Sequence, residues 1–240
     1  MSAHRRFYIA SFPRSGNTLF RLAMEHFFGI KTEEPRGKIT RMNRAVRMER
    51  DGKKIVCRND FEGIKTHGVD GENIPAFFIV RDPRDALLSL IRYLRVSNPD
   101  DLPLEKEIRR VFAWRPRWNE MVHYWYHFHP GNVALYRYED MQKSVARRGG
   151  IEFANLIAYG FAALFPDAEP LRRITDEPFP KFEYFQRNYG RINFHKGTSG
   201  QGQVAFDAVT LKKIFKQNRQ GLIDCRYISS DAEGFEQNFS

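Results

Sequence analysis

Two cysteines in 240 residues, Cys57 and Cys225, stand far apart and in no C-x-x-C or zinc-like spacing, which excludes a disulfide framework. Internal repeats and low-complexity tracts are missing, which argues against a repeat array and against disorder. Long apolar runs are missing too. The first one, Phe7 to Phe12, is cut by Pro13-Arg14 and is too short for a secretory h-region, and nothing approaches a membrane span, so a cytoplasmic protein is expected. Acidic residues are in deficit: 39 Lys and Arg against 29 Asp and Glu leave a formal net charge of +10, which calls for an anionic partner. The basic residues are spread along the chain without a helix-turn-helix, zinc-finger or stacking-platform motif, so nucleic acid is not the expected partner.

What is present is an ordinary globular composition, 42% hydrophobic, 14% aromatic and 28% charged, in a length that fits one domain over residues 1–240. Apolar strand-like runs at Phe7–Ser11, Ile64–His67, Ala76–Val80 and Val133–Tyr138 alternate with helical patterns at Asn17–Phe28, from Pro83 onward, at Ala113–His129, Ile151–Leu164 and Phe206–Arg219. This order implies βαβ units: an α/β fold with a central, mostly parallel sheet flanked by helices. Asp82 is the expected N-cap of the helix opened by Pro83, and Gly29 and Gly221 the expected helix ends. Residues 31–60, whose 31–54 part holds nine basic residues against four acidic ones, are expected to form a surface insertion of loop and short helix on the acceptor side.

The first strand stops at Pro13-Arg14-Ser15-Gly16-Asn17-Thr18 and a helix resumes, a strand–turn–helix that aims unpaired N–H groups at one point where an anion is stabilised. It is P-loop-like, but Ser11 and Asn17 stand where the nucleoside-triphosphate pattern has its first Gly and its Lys, and the nearest cation is Arg14 in the bend. A strand ending on a magnesium-binding aspartate is also missing, since Ala76–Val80 runs into Arg81. A P-loop kinase of a small alcohol would need both. A basic nucleotide- or nucleic-acid-binding module would use the same loop without chemistry. His123, His127 and His129 suggest a zinc site, but their aromatic neighbours favour a packed helix face, and no metal is expected. Gly197, Gly200 and Gly202 make their segment a second candidate for close approach to phosphate.

Four segments, Pro13–Thr18, Lys65-Thr66-His67, Arg81-Asp82-Pro83-Arg84-Asp85 with Ser89, and His195-Lys196-Gly197-x-x-Gly200, resemble in order and spacing the sulfotransferases that use 3′-phosphoadenosine 5′-phosphosulfate (PAPS). His129-Pro130 and Tyr138-Glu139-Asp140-Met141 are similar to the cytosolic members of that family. The resemblance implies that Arg14, Ser15, Gly16, Asn17 and Thr18 wrap the 5′-phosphosulfate, with Arg14 in the place of a lysine at the bridging oxygen. Arg81 and Ser89 match the pair at the 3′-phosphate, and Lys196 and Gly197, after His195 where arginine is common, match an element closing over it. Tyr138 and Phe182 match adenine contacts, His67 the catalytic base and Lys65 a supporting cation. The implied acceptor is a hydroxyl or amine of a small molecule or saccharide. The K-x-x-x-T-V-x-x-x-E dimer motif of some members is absent, so the resemblance gives no support for that dimer and leaves the oligomeric state open.

Overall fold

The computed structural model describes residues 5–33, 58–69, 71–97, 102–189 and 199–229. Among them five strands form one parallel sheet in the order β2-β3-β1-β4-β5: β1 Arg5–Ser11, β2 Ile30–Glu33, β3 Arg58–Thr66, β4 Ala76–Val80 and β5 Val133–Arg137. The helices are α1 Asn17–Phe28, α2 Pro83–Ser97, α3 Leu104–Phe112, α4 Trp118–His123, α5 Tyr138–Ala146, α6 Ile151–Leu164, α7 Phe182–Tyr189, α8 Gln201–Ala205 and α9 Ala208–Asp224.

The two central strands are buried on both sides, and their pleat sorts side chains between two cores. Phe7 and Ile9 of β1, with Phe77 and Ile79 of β4, pack against α1 and α6 through Phe20, Phe27, Phe153 and Phe161. Tyr8 and Ala10, with Phe78 and Val80, face α2, α4 and α9 through Leu90, Ile91, Trp118, Ile214 and Leu222. Helices therefore cover both faces, and the chain's strands all point their carboxyl ends to the same edge, which is where such sheets bind ligands. The loops after β1, β3, β4 and β5 deliver Ser11–Gly16, His67, Arg81 and Tyr138 to that edge.

Four sequence expectations change. Ile30–Glu33 is an edge strand, because Ile30 and Thr32 are buried in alternation, and β3 begins at Arg58, so both ends of the 31–60 segment belong to the sheet; residues 34–57 lie outside the described residues. The Ala113–His129 pattern splits at Pro116, with α4 beginning at Trp118 and running into a wider π-type turn at Tyr124–Phe128. Within the segment of Gly197, Gly200 and Gly202, expected to approach phosphate closely, Gly200 opens the short helix α8 at φ +84°. Finally, α9 runs through Gly221 to Asp224, and glycine stands at 221 because an added Cβ would lie 2.7 Å from the Trp118 ring.

Candidate active site

The phosphate loop is shaped by two left-handed residues, Arg14 at φ 69° and Gly16 at φ 99°. Arginine is strained there, as residues in binding loops often are. Gly16 is required twice over, since a Cβ at that position would stand 2.4 Å from the Tyr138 ring. No side chain caps the start of α1, whose first turn carries the positive end of the helix dipole. The Ser15 hydroxyl is fully buried in the same loop and has no hydrogen-bond partner. Such orphaned donors fit an anion.

Asn17, expected among the cofactor contacts, turns its amide inward. Its Nδ2 donates to the Ile9 carbonyl at 2.8 Å and to Ser11 Oγ at 3.2 Å, tying the start of α1 to β1. At the position where a nucleotide kinase keeps its lysine, this side chain ties helix to strand.

Arg14, Arg81, Ser89 and Tyr138 form one cluster. Arg14 Nε donates to Ser89 Oγ at 3.3 Å, and its guanidinium lies 5.0 Å from the Tyr93 ring centre. Arg81 Nη1 donates to the Arg14 carbonyl at 3.2 Å, with its guanidinium 4.5 Å from the Tyr138 ring centre. Burial first, and the Arg81 charge with it, hold Arg14 below the ordinary guanidinium value, while Tyr93 and Tyr138 act the other way. Two arginines so close favour an anionic ligand beside them. Arg14 and Ser89, assigned by resemblance to opposite ends of the cofactor, meet here. Tyr93 escaped the sequence reading, although its place four residues after Ser89 puts both on one face of α2.

His67 follows β3 directly. Its Nδ1 lies 2.6 Å from the Ser11 carbonyl and 3.4 Å from Ser11 Oγ. A carbonyl only accepts, so Nδ1 carries a proton, and in the neutral form of the ring the lone pair is on Nε2. Lys65, half-buried in β3 opposite Ile9, lies two residues before it. The remaining sequence assignments are not brought into this cluster by the described residues: His195, Lys196 and Gly197 lie outside them, as does the Phe182 side chain.

The second phosphate candidate is already occupied. The N–H groups of Gly200 and Gly202 donate to the two oxygens of Asp85 at 2.6 and 2.7 Å. His127 of the π-type turn and His129 just after it also have structural tasks: His129 Nε2 pairs with the Ile74 carbonyl and His127 Nε2 with Asp224. Among the described residues no group of three or more potential ligands could hold a metal ion, and no helix is long and apolar enough to cross a membrane.

At the strand ends of a parallel α/β sheet the chain gathers a loop without lysine, the half-buried Arg14, the buried Arg81 and an oriented histidine, a set suited to an anionic ligand. Residues 73–148, from before β4 through α5, match the sulfotransferase domain family. The solved structure of mouse sulfotransferase SULT7A1 complexed with PAP shares the fold, with 19% identity, a TM-score of 0.56, and 93% of this chain covering 87% of that one. Retinol dehydratase, in a complex with retinol and PAP, is similar at 16% identity and a TM-score of 0.56, over 92% of this chain and 82% of that one. No curated protein matches the chain in sequence.

Proposed function

We propose that this protein is a sulfotransferase that moves a sulfuryl group from PAPS to a hydroxyl or amine of a small-molecule or saccharide acceptor. The observation that carries the reading is the convergence at one sheet edge of the uncapped start of α1, the Arg14–Arg81–Ser89 cluster and a histidine whose tautomer suits a base. The sulfotransferase family match agrees with it, as do the solved relatives, whose structures both hold 3′-phosphoadenosine 5′-phosphate (PAP).

In this reading Ser15 and the backbone from Gly16 to Thr18 bind the 5′-phosphosulfate, Arg81 and Ser89 the 3′-phosphate, and Tyr138 the adenine, with Phe182, His195, Lys196 and Gly197 as further contacts. The cofactor supplies an activated sulfuryl group on a good leaving phosphate. His67 Nε2 accepts the acceptor's proton while Nδ1–H stays anchored on Ser11, as in other imidazole bases held by their second nitrogen. As the acceptor's oxygen or nitrogen bonds to sulfur, the bond from sulfur to the 5′-phosphate oxygen breaks, and PAP leaves with that electron pair. Arg14, Lys65 and the α1 N–H groups stabilise the charge growing on the phosphate.

The test is transfer of labelled sulfate from PAPS, in EDTA, to a panel of phenols, alcohols, amines, neutral sugars and acidic glycans. Label in any acceptor, with equimolar PAP formed, supports the reading. Phosphate transfer from ATP to the same panel, without sulfate transfer, would overturn it.

A further inference from the structure

The peptide unit joining Arg81 to Asp82 is gripped at both polar atoms by side chains from different elements. The Arg81 carbonyl accepts the Trp118 indole N–H at 2.8 Å, and the Asp82 N–H donates to Glu139 Oε1 at 3.1 Å. Glu139 is itself aligned, because its Oε2 accepts the Tyr227 hydroxyl at 2.7 Å. Tyr227, just beyond α9, is held in turn by the Arg137 guanidinium, 4.4 Å from its ring centre, while Arg137 Nη1 donates to the Arg226 carbonyl at 3.1 Å.

The partners follow one another in sequence. Tyr138 lies under the guanidinium of Arg81, and the next residue, Glu139, holds the peptide from which that side chain springs. β4 ends at Val80 and α2 begins at Pro83, so Arg81 sits on a two-residue link whose far end is tied to α2, where Ala86 N–H donates to the Asp82 carbonyl at 2.9 Å. Turning the peptide would swing a long side chain by more than a hydrogen-bond length.

We propose that Glu139, aligned by Tyr227, is a positioning residue that aims Arg81 at the 3′-phosphate and so makes the C-terminal end of the chain a determinant of cofactor discrimination. The inference rests on the PAPS reading above. It distinguishes a role in selecting the 3′-phosphate from a general role in stability, since only the former depends on that one group of the ligand.

Calorimetric titration with PAP and with adenosine 5′-monophosphate, which lacks the 3′-phosphate, separates the two. Arg81→Ala is expected to cut PAP affinity by about tenfold or more, the scale of a lost charge-assisted contact. Glu139→Ala is expected to cut it by about fivefold or more while AMP affinity stays within about twofold, and Glu139→Gln, which can still accept from Asp82, to stay within about twofold of the unchanged protein for both. Equal losses for both ligands, or none for PAP, would overturn the inference. Should Glu139→Ala fail to fold, Tyr227→Phe carries the test: it keeps the ring on Arg137, and a selective PAP loss of about twofold or more is expected. An unchanged protein that binds PAP no better than AMP would overturn the PAPS reading itself.

Discussion

The Nδ1 of His67 stands 2.6 Å from the carbonyl oxygen of Ser11, so the proposed base hangs from the strand that leads into the phosphate loop. The proposed base and the loop are thereby set by one backbone segment.

His67→Ala is expected to lower kcat by about 10²–10⁴-fold, the usual contribution of a positioned general base. PAP affinity should stay within a few-fold, because the phosphate loop keeps its own ties through Asn17. Single-turnover transfer and calorimetry on the same preparation check both halves. Loss of PAP binding would make His67 a loop support.

Asn17 offers the opposite pattern. Removing an amide that satisfies the buried Ile9 carbonyl leaves an acceptor unpaired, so Asn17→Ala should cost about 1–3 kcal/mol of stability. Urea unfolding reads this directly. A variant as stable as the parent but unable to bind PAP would return Asn17 to the ligand contacts.

Two glycines at positive φ separate strain from space. Gly200 at φ +84° has nothing within 4 Å of an added Cβ, whereas at Gly16 that atom would meet Tyr138 at 2.4 Å. Gly200→Ala should cost about 1 kcal/mol from backbone conformation alone. Gly16→Ala should cost about 1–3 kcal/mol more through overpacking, and should weaken PAP by displacing Tyr138. Equal destabilisation in urea would show that the Tyr138 contact yields freely.

Burial raises Glu25 of α1 to about 8 from 4.5, although Arg21 and Lys31 pull it down, and its Oε2 has no hydrogen-bond partner. A carboxyl raised on folding holds its proton more tightly in the folded state. Its stabilising contribution is therefore complete below about pH 4.5 and is lost as pH rises towards about 8. Glu25→Gln should flatten that slope and stabilise the protein at pH 8.5 by on the order of 1–3 kcal/mol, measured against pH 5 in urea. Parallel pH profiles for the two proteins would contradict it.

The elements that could be read in advance were those with strong local signals. Helix α1 has its glycine at each end and an apolar face between, and β4 is five apolar residues followed by Arg81-Asp82-Pro83, whose Asp82 does cap α2 by accepting from Arg84 N at 2.9 Å. Strand β2 has four residues and no such signal, and it exists because β3 supplies its partner. Gly221 looked like a helix end because conformation and close packing both select glycine, and only the position of Trp118 tells them apart. Within the site, motif and spacing named Arg14, His67, Arg81, Ser89 and Tyr138, which the fold gathers at one edge. The supports, Trp118, Glu139 and Tyr227, come from distant segments, and no local pattern marks a side chain whose task is to hold another residue's peptide.

Thermal unfolding with added nucleotide tests the central claim most directly. At about 100 times its Kd, PAP in EDTA should stabilise the protein by about 2.7 kcal/mol and raise Tm by about 5–10 °C, while ATP with magnesium should shift it by less than about 2 °C. A large shift with ATP and magnesium, and none with PAP, would contradict a PAPS-dependent sulfotransferase.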